Sequence, residues 1–424
     1  MRRFIIPLLL LLCTVPLAAL SVTGGTVVDS FESVDNLARF DFQNTEGLND
    51  SYLDDVTVSL VTQAPGKEVY VWFGHAGLMV STPLQDVMYD WGVFSFGPGF
   101  YTDFLFGRLY YNVYPTSARS SLLRAVDNQR TVRVLELPLT NAAKNALLSF
   151  VNYNTRPENM TYLYHYYLDN CATRIRDIVN AATDGDFQSW AESVQTGMSF
   201  RDFSSLYMER SLLVSFTLNA LQGPSIDHPL NLYEACFLPD VLMAALEDYY
   251  GAEAQTVYQG PPAPVGDNHL LLSSLTAGLI MMIILHTLSR SNKRAYGVVA
   301  FVLYLYLAVL SSILLFVMTF TNHDVSWNNE NILFLNPLIF ILLIQAAARI
   351  IRKDGRLNAS IMTSRILLSL ALADLVLKGL WPTVFIQDNF PLLAFLIPVY
   401  LSLAIQQKEK TPPRHRKQKH RRPC

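Results

Sequence analysis

The residues best suited to chemistry in this sequence surround a cysteine. An aromatic, β-prone run over 162–168 ends at Asp169-Asn170, and Cys171 then opens a segment with helical spacing. Asp169 or Asn170 can cap that helix, which places Cys171 in its first turn. Unpaired backbone N–H groups and the positive end of the helix dipole favour the thiolate there. A reactive thiol, a buried free cysteine and a disulfide with Cys236 all remain open at this point.

A histidine earlier in the chain is the candidate partner of this thiol. His75 interrupts the apolar, β-prone run Val69–Val80, which is expected to form a strand on each side of it. A lone histidine in an apolar run is usually a core residue, but Gly74 and Gly77 leave room here for another group to approach. A histidine well before a cysteine at a helix start is a candidate base–nucleophile pair, so His75 is expected to activate Cys171.

The N-terminus has the pattern of an export signal. Met1-Arg2-Arg3 precedes the apolar run Phe4–Leu20, so residues 1–21 are predicted to be a signal peptide, with an uncleaved anchor as the alternative. The remainder of the chain contains only three cysteines, at positions 171, 236 and 424. Such sparse use suits a free functional thiol better than a disulfide framework, although it does not exclude a Cys171–Cys236 bridge.

The pattern of elements divides the exported part in two. Short β-prone runs separated by turn residues fill positions 56–137, and helical patterns follow at 139–154 and after Cys171. Residues 22–185 are therefore predicted to form the catalytic Cys/His domain. Residues 186–267 have a mostly helical pattern and end in a proline-rich stretch, so they are predicted to form a helical subdomain and a stiff linker.

Five apolar stretches near membrane-spanning length follow the linker, roughly at 270–288, 296–320, 332–348, 366–381 and 390–405. Lys and Arg cluster after the first, third and fifth stretches, whereas the connections 321–331 and 382–389 contain neither. The positive-inside rule then places the catalytic domain outside the cytoplasm, which agrees with the signal peptide. The expected location is therefore the inner (cytoplasmic) membrane, with 268–405 as a five-helix transmembrane domain.

The C-terminal residues 406–424 form a strongly basic tail. A basic tail can indicate nucleic acid, but directly after a membrane helix it is explained more simply as a cytoplasmic anchor at anionic lipid. The membrane is therefore an expected partner, and nucleic acid is not.

Polar residues are concentrated at the outer face of the predicted membrane domain. The loop 319–337 contains His323, Asn329 and Asn331, and such groups are costly near lipid unless they are paired or face a cavity. We expect these three to hold a headgroup or another substrate part beneath the catalytic domain, with helix capping as the alternative. Asp374 and Lys378, one turn apart in the fourth apolar stretch, are expected to pair inside the membrane.

Several of these motifs together resemble the Lnb-type family of lipoprotein N-acyltransferases, and they cover most of the chain in a specific order. The exported part resembles its periplasmic domain, and the membrane part looks like the transmembrane domain that accompanies it. The motifs are Gly74-His75-Ala76, Tyr89-Asp90-Trp91-Gly92, Phe104–Gly107-Arg108-Leu109, Asp169-Asn170-Cys171, Thr321-Asn322-His323, Asn329-x-Asn331 and Asn336-Pro337.

This resemblance implies a fold and a reaction. It implies an α+β architecture, with a circularly permuted papain-like (NlpC/P60-like) exported domain followed by a five-helix transmembrane bundle. Related permuted enzymes, the lecithin:retinol acyltransferase-like class, move acyl chains from phospholipid through a cysteine thioester. The expected partners are accordingly a phospholipid acyl donor and diacylglyceryl lipoproteins as acceptors, and neither a cofactor nor a metal is expected.

The implied mechanism assigns provisional roles to five residues. His75 would deprotonate Cys171, and the thiolate would attack a phospholipid ester. Asp90 on the next strand would orient His75, although a solvated turn carboxylate is an alternative reading of that residue. The backbone N–H of Cys171, with help from Asn170 or Tyr164, would hold the oxyanion.

Other functions fit the same residues. A cell-wall peptidase or amidase would use the same Cys–His pair, and a phospholipase would replace the amine acceptor with water. A non-catalytic transporter or scaffold with an exported sensor domain predicts an unreactive Cys171. The number of apolar stretches favours a lipid substrate, because a wall hydrolase needs only a tether, and the chain shows no internal repeat of the kind common in transporters.

Overall fold

The structure is a computed structural model that describes residues 36–45, 47–263, 265–266, 269–351 and 358–406. The predicted signal peptide 1–21 and the basic tail beyond residue 406 lie outside the described residues.

A seven-stranded antiparallel sheet forms the centre of the N-terminal part, with the strand order β6-β4-β3-β2-β1-β5-β9. Its alternating pattern buries apolar side chains of neighbouring strands in a common core. Two further strands, β7 and β8, form a separate two-stranded antiparallel sheet. The strands are β1 (Thr57–Gln63), β2 (His75–Ser81), β3 (Asp86–Val93), β4 (Tyr110–Ser117), β5 (Val132–Glu136), β6 (Thr161–Leu163), β7 (Gln195–Ser199), β8 (Pro229–Asn231) and β9 (Gln255–Tyr258).

Helices cover this sheet and then form a separate C-terminal bundle with its own apolar core. The helix that begins at the candidate nucleophile, α5, packs against β2 and β3. The helices are α1 (Asp50–Leu53), α2 (Phe100–Phe106), α3 (Ala118–Asp127), α4 (Asn141–Asn154), α5 (Cys171–Ala182), α6 (Asp186–Glu192), α7 (Phe200–Met208), α8 (Leu212–Leu221), α9 (Leu232–Ala235), α10 (Pro239–Tyr250), α11 (Leu270–Ser291), α12 (Lys293–Phe320), α13 (Ile339–Ile351), α14 (Asn358–Leu380) and α15 (Phe390–Ala404).

The chain just before His75 differs from the sequence prediction. Val69–Val71 forms a single 3₁₀ turn instead of a strand, and only the half that begins at His75 is extended. Gly74 has a φ of +80°, a left-handed conformation that breaks the extended run at that point. His75 is therefore the first residue of β2, at the end of the sheet rather than within a strand.

The segment 186–267 is less independent than the sequence suggested. Its described residues are mostly helical, and β9 returns to pair with β5 at the edge of the main sheet. Helix α10 also buries Leu242 and Leu246 in the core of that sheet. This segment therefore completes the sheet domain as well as leading to the membrane part.

The membrane region contains three helices that are long and apolar enough to cross a membrane among the described residues, namely α11, α12 and α14. The other two predicted spans are shorter, because α13 has 13 residues and α15 has 15. The predicted span at 332–348 begins only at Ile339, since Pro337 and the short 3₁₀ turns before it interrupt the helix. The sheet domain and C-terminal helical region agree with the α+β prediction, and the circular permutation remains a prediction.

Candidate active site

The position of Cys171 is fixed by the cap of helix α5. Asn170 is the N-cap, and its Oδ1 accepts hydrogen bonds from the N–H groups of Ala172 at 2.8 Å and Thr173 at 3.0 Å. The Thr173 hydroxyl accepts in return from the N–H of Asn170 at 2.7 Å, which completes a capping box. Cys171 is thus the first helical residue, as the sequence predicted, and its sulfur lies at the positive end of the helix.

His75 and Asp90 lie on the neighbouring strands β2 and β3. His75 Nε2 is 2.9 Å from Asp90 Oδ1, and the Asp90 residue is only 8% exposed. The imidazole also makes a side-chain hydrogen bond with Cys171. Because Nε2 faces the carboxylate, Nδ1 is the ring nitrogen left for the sulfur. The three side chains chosen from the sequence therefore form one connected row, although they are up to 96 positions apart.

The electrostatics of the pair favour a thiolate beside an imidazolium. Burial alone would lower the pKa of His75, but the charge of Cys171 and the hydrogen bonds that the ring donates to Asp90 and Cys171 raise it to about 10. Burial alone would raise the pKa of Cys171, but His75 lowers it, with help from the backbone N–H groups of Ala76 and Ala172. Both shifts have the same cause, which is the attraction between the two charged forms.

The disulfide that the sequence left open is absent, since Cys171 and Cys236 are both free. Cys236 is fully buried, and burial raises the pKa of its thiol to about 12, so it has the character of an inert core residue. Within the described part of the chain, no group of three or more His, Cys, Asp or Glu side chains could hold a metal ion.

The two residues considered for the oxyanion have different surroundings. The Asn170 amide donates to the carbonyls of Tyr166 and Phe237, both at 2.9 Å, so its side chain is fully used in holding the start of α5. Tyr164 lies nearer the reacting atoms. A Cβ built on Gly92 would be 3.5 Å from the Tyr164 ring and 3.9 Å from the Cβ of Cys171.

The three membrane-side residues predicted from the sequence have two different environments. His323 is partly exposed, and its Nε2 lies 2.9 Å from the carbonyl oxygen of Phe104, to which it can donate. Burial lowers the pKa of His323, which favours the neutral ring. Its neighbour Asp324 receives a hydrogen bond from His165 of the sheet domain at 3.0 Å. This loop is therefore the surface on which the sheet domain rests.

Asn329 and Asn331 are instead fully buried. Their side-chain nitrogens both donate to the carbonyl of Ala220, each at 3.1 Å, at the C-terminal end of helix α8. The sequence argument placed them on a substrate-facing surface, but these bonds attach the helical segment to the membrane domain. Neither residue caps the third membrane helix, which begins at Ile339, and both instead satisfy a carbonyl at the end of α8.

The expected Asp374–Lys378 pair is only part of a larger network. Lys378 Nζ forms its close ion pair with Glu330 and lies 3.9 Å from Asp374. The Glu330 carboxylate also accepts the backbone N–H of Gln387 at 3.0 Å. Sequence reasoning missed Glu330. Only two acidic residues, Glu330 and Asp354, lie between Asp324 and Asp374, so Glu330 was a natural candidate partner for a buried lysine.

Fold and site together define a protein with helices able to cross a membrane and a sheet domain that carries a Cys–His–Asp arrangement. Two family models match the chain: the Lnb N-terminal periplasmic domain over residues 43–205 and the Lnb transmembrane domain over residues 272–411. The chain belongs to the Lnb-type family, as the motifs had indicated. Membership indicates a membrane-associated enzyme of lipoprotein processing with an extracytoplasmic domain. No curated protein and no solved structure matches the chain.

Proposed function

We propose that this protein is a cysteine-dependent acyltransferase that moves an acyl chain from a phospholipid to the N-terminal amine of a lipoprotein. It acts as a multi-pass protein of the inner membrane with its catalytic domain in the periplasm. Cys171 is the nucleophile, His75 is the acid and base, and Asp90 orients His75.

The first half of the reaction loads the enzyme. The Cys171 thiolate attacks the carbonyl carbon of a phospholipid ester, and a C–S bond forms. The backbone N–H of Cys171 and the Tyr164 hydroxyl stabilise the oxyanion. When the C–O bond breaks, the His75 imidazolium gives its proton to the leaving alkoxide. The products are a lysophospholipid and a thioester on Cys171.

The second half transfers the acyl chain. The free α-amine of a diacylglyceryl-cysteine attacks the thioester carbonyl, and neutral His75 takes the proton that the nitrogen loses. The C–S bond breaks as the amide forms, which restores the thiolate beside the imidazolium. Each group therefore returns to its starting protonation state.

One observation carries the proposal: the Cys171–His75–Asp90 row lies in a domain that rests on the outer loop of a membrane bundle. The contacts of His323 with Phe104 and of Asp324 with His165 hold the thiol-bearing domain against that loop. Membrane phospholipid is thus the acyl ester available at highest local concentration, and proximity of this kind can contribute several kcal/mol to a barrier.

A transfer assay tests the proposal. Purified full-length protein is mixed with phospholipid vesicles and a synthetic diacylglyceryl lipopeptide, and the lipid and peptide products are identified and quantified by mass spectrometry. We expect N-acylated lipopeptide and lysophospholipid in equal amounts. Free fatty acid without acylated peptide would instead indicate a phospholipase, and cleaved peptide would indicate a peptidase or amidase.

Matched cysteine variants assign the product to the site. Cys171→Ala should abolish transfer while the protein still inserts and folds. Cys236→Ala removes the other cysteine of the described chain, which is buried and interacts with Arg176 and Asp177, and this variant should retain transfer. Equal activity of the two variants would refute the assignment of Cys171.

A further inference from the structure

Aromatic rings extend from the candidate nucleophile in a continuous series. The Tyr164 ring, next to Gly92 and Cys171, packs on Tyr111 with ring centroids 4.6 Å apart. Tyr111 in turn stacks on Phe94 at 4.8 Å. The Tyr164 ring therefore lies beside the position that the scissile ester would take, and the other two rings extend this apolar surface away from the thiol.

The series continues outward through helix α2. Phe94 stacks on Phe100 at 5.4 Å, and Phe100 stacks on Phe104 at 6.0 Å. A cavity of about 160 Å³ opens along these rings. We call the five rings of Tyr164, Tyr111, Phe94, Phe100 and Phe104 the aromatic path.

The outer end of the path is attached to the membrane domain. The carbonyl of Phe106 accepts the backbone N–H of Asn322 at 2.9 Å, and the Phe106 ring lies 5.8 Å from Phe316 in α12. A Cβ on Gly107 would come within 2.8 Å of the backbone of Asn322 and His323, so the two segments are in close contact. Helix α2 therefore lies at the outer end of a membrane-spanning helix.

Helix α2 exposes large aromatic side chains where it meets the membrane-side loop. None of its residues is buried, and Tyr101 is 72% exposed while Phe104 is 44% exposed. Phe96, in the loop before it, is 63% exposed. Exposed aromatic clusters of this kind are costly in water and favourable at a membrane interface, where an apolar ring meets lipid.

We propose that the aromatic path binds an acyl chain of a membrane phospholipid and leads its ester from the outer leaflet surface to Cys171. This inference rests on the proposed acyl transfer and adds the residues that bind the acyl chain and the route that its ester takes to the thiol. Continuity of the rings from Phe104 in helix α2 to Tyr164, together with the contact of that helix with the membrane-side loop, is the observation that carries it. The site recognises the chain by apolar contact, so longer chains gain more from it than short ones.

Chain-length dependence tests the path apart from the chemistry. Full-length protein in detergent is given p-nitrophenyl butyrate or p-nitrophenyl dodecanoate, and release of p-nitrophenol is followed for wild type, Phe100→Ala and Phe104→Ala. We expect kcat/KM for the dodecanoyl ester to fall about tenfold in each variant, because an apolar contact is lost, and the butyryl rate to stay within about twofold. An equal change for both esters, or no change for either, would overturn the proposal.

Leu84→Ala is the matched control, since Leu84 is 90% exposed in the turn between β2 and β3, away from the path. This control should keep both rates at the wild-type level. A selective loss on the dodecanoyl ester in the control would mean that the effect does not belong to the path, and would also overturn the proposal.

Photocrosslinking separates this inference from the reaction itself. A phospholipid with a diazirine near the end of one acyl chain is placed in vesicles with the Cys171→Ala protein, which can form no thioester. We expect crosslinked peptides that cover residues 94–106, reduced in Phe104→Ala. Crosslinks confined to α11, α12 and α14 would refute the path, whether or not wild-type protein transfers acyl chains. If wild type instead forms no acyl product while residues 94–106 crosslink, the proposed function fails and lipid binding by the path remains.

Discussion

Gly77 lies directly opposite Asp90 across strands β2 and β3, and a Cβ built on Gly77 would come within 2.9 Å of Asp90 Oδ1. This is the same oxygen that lies 2.9 Å from His75 Nε2. His75 and Gly77 point to one face of β2, since residues two apart in a strand share a face. The absence of a side chain at position 77 thus creates the space through which the carboxylate reaches the imidazole.

Gly77→Ala should therefore lower activity without preventing folding. The added methyl group would displace the Asp90 carboxylate and also press on Met88, whose flexible side chain can move. A displacement of about 1 Å at a catalytic contact can cost about 10²-fold, so we expect a loss of that order in kcat for acyl transfer.

Gly47→Ala is the control for this variant, because a Cβ on Gly47 meets nothing within 4 Å. It should keep wild-type kcat. Wild-type activity in Gly77→Ala would contradict the orienting role assigned to Asp90, and a large loss of thermal stability would show that position 77 serves packing instead.

The pH dependence of thiol alkylation reports on the Cys171–His75 ion pair. Because the pKa of Cys171 is lowered and that of His75 is raised to about 10, the reactive thiolate should form at a lower pH than in an ordinary cysteine. The rate of alkylation by iodoacetamide should therefore reach its plateau at a lower pH than that of a free thiol, and it should fall as pH drops through the lowered pKa of Cys171.

His75→Ala should reverse that profile. Without the imidazolium, burial is the dominant influence and raises the pKa of the thiol, so alkylation at pH 7 should fall about tenfold or more and recover only as pH rises. Identical profiles for wild type and variant would mean that the two residues are not coupled.

The two kinds of membrane-side residue should give different defects. Asn331→Ala removes a buried amide that donates to Ala220, and losing such a bond costs about 1–3 kcal/mol, so the melting temperature should fall. His323→Ala loosens the contact with Phe104 at the outer end of the aromatic path, so acyl transfer should fall more than stability.

Both variants are measured by thermal unfolding in detergent, by the transfer assay and by alkylation of Cys171. His323→Ala should leave the alkylation rate unchanged, since burial, His75 and the N–H groups of Ala76 and Ala172 are the main influences on the thiol. Parallel losses of stability and transfer in His323→Ala would show that the loop only supports the fold.

Topology is a separate prediction of the charge pattern. A reporter fused after Gln406 should report the cytoplasm, and a fusion that ends at Ser326 should report the extracytoplasmic side. Reports from opposite sides require an odd number of crossings among α13, α14 and α15, so α14 would cross the membrane and the short helices α13 and α15 would either both cross it or both not cross it. Both fusions on the same side would mean an even number of crossings between these points.

The nucleophile and its cap could be read from the sequence because they are local. The order Asp169-Asn170-Cys171 before a helical period sets the cap and therefore the position of the thiol, and the structure has this arrangement. The pairing of β2 with β3 joins His75 to Asp90 through a hairpin, which is also a short-range feature.

Long-range contacts were the part that sequence patterns could not supply. Nothing local to Asn329 or Asn331 indicates that Ala220, about 110 positions earlier, would receive their amides. The pairing of Lys378 with Glu330 likewise depends on how the membrane helices pack. The left-handed φ of Gly74, which ends the predicted strand before His75, is set by its contacts with the rest of the domain.

The central claim is that Cys171 carries an acyl chain as a thioester, and intact-mass analysis tests it most directly. Purified full-length protein is incubated with phospholipid vesicles and no acceptor, then weighed before and after hydroxylamine, which cleaves thioesters. We predict a long-chain acyl adduct that maps to Cys171, is removed by hydroxylamine, persists in Cys236→Ala and is absent from Cys171→Ala. An unmodified wild-type protein, or an adduct that survives in Cys171→Ala, would contradict the account.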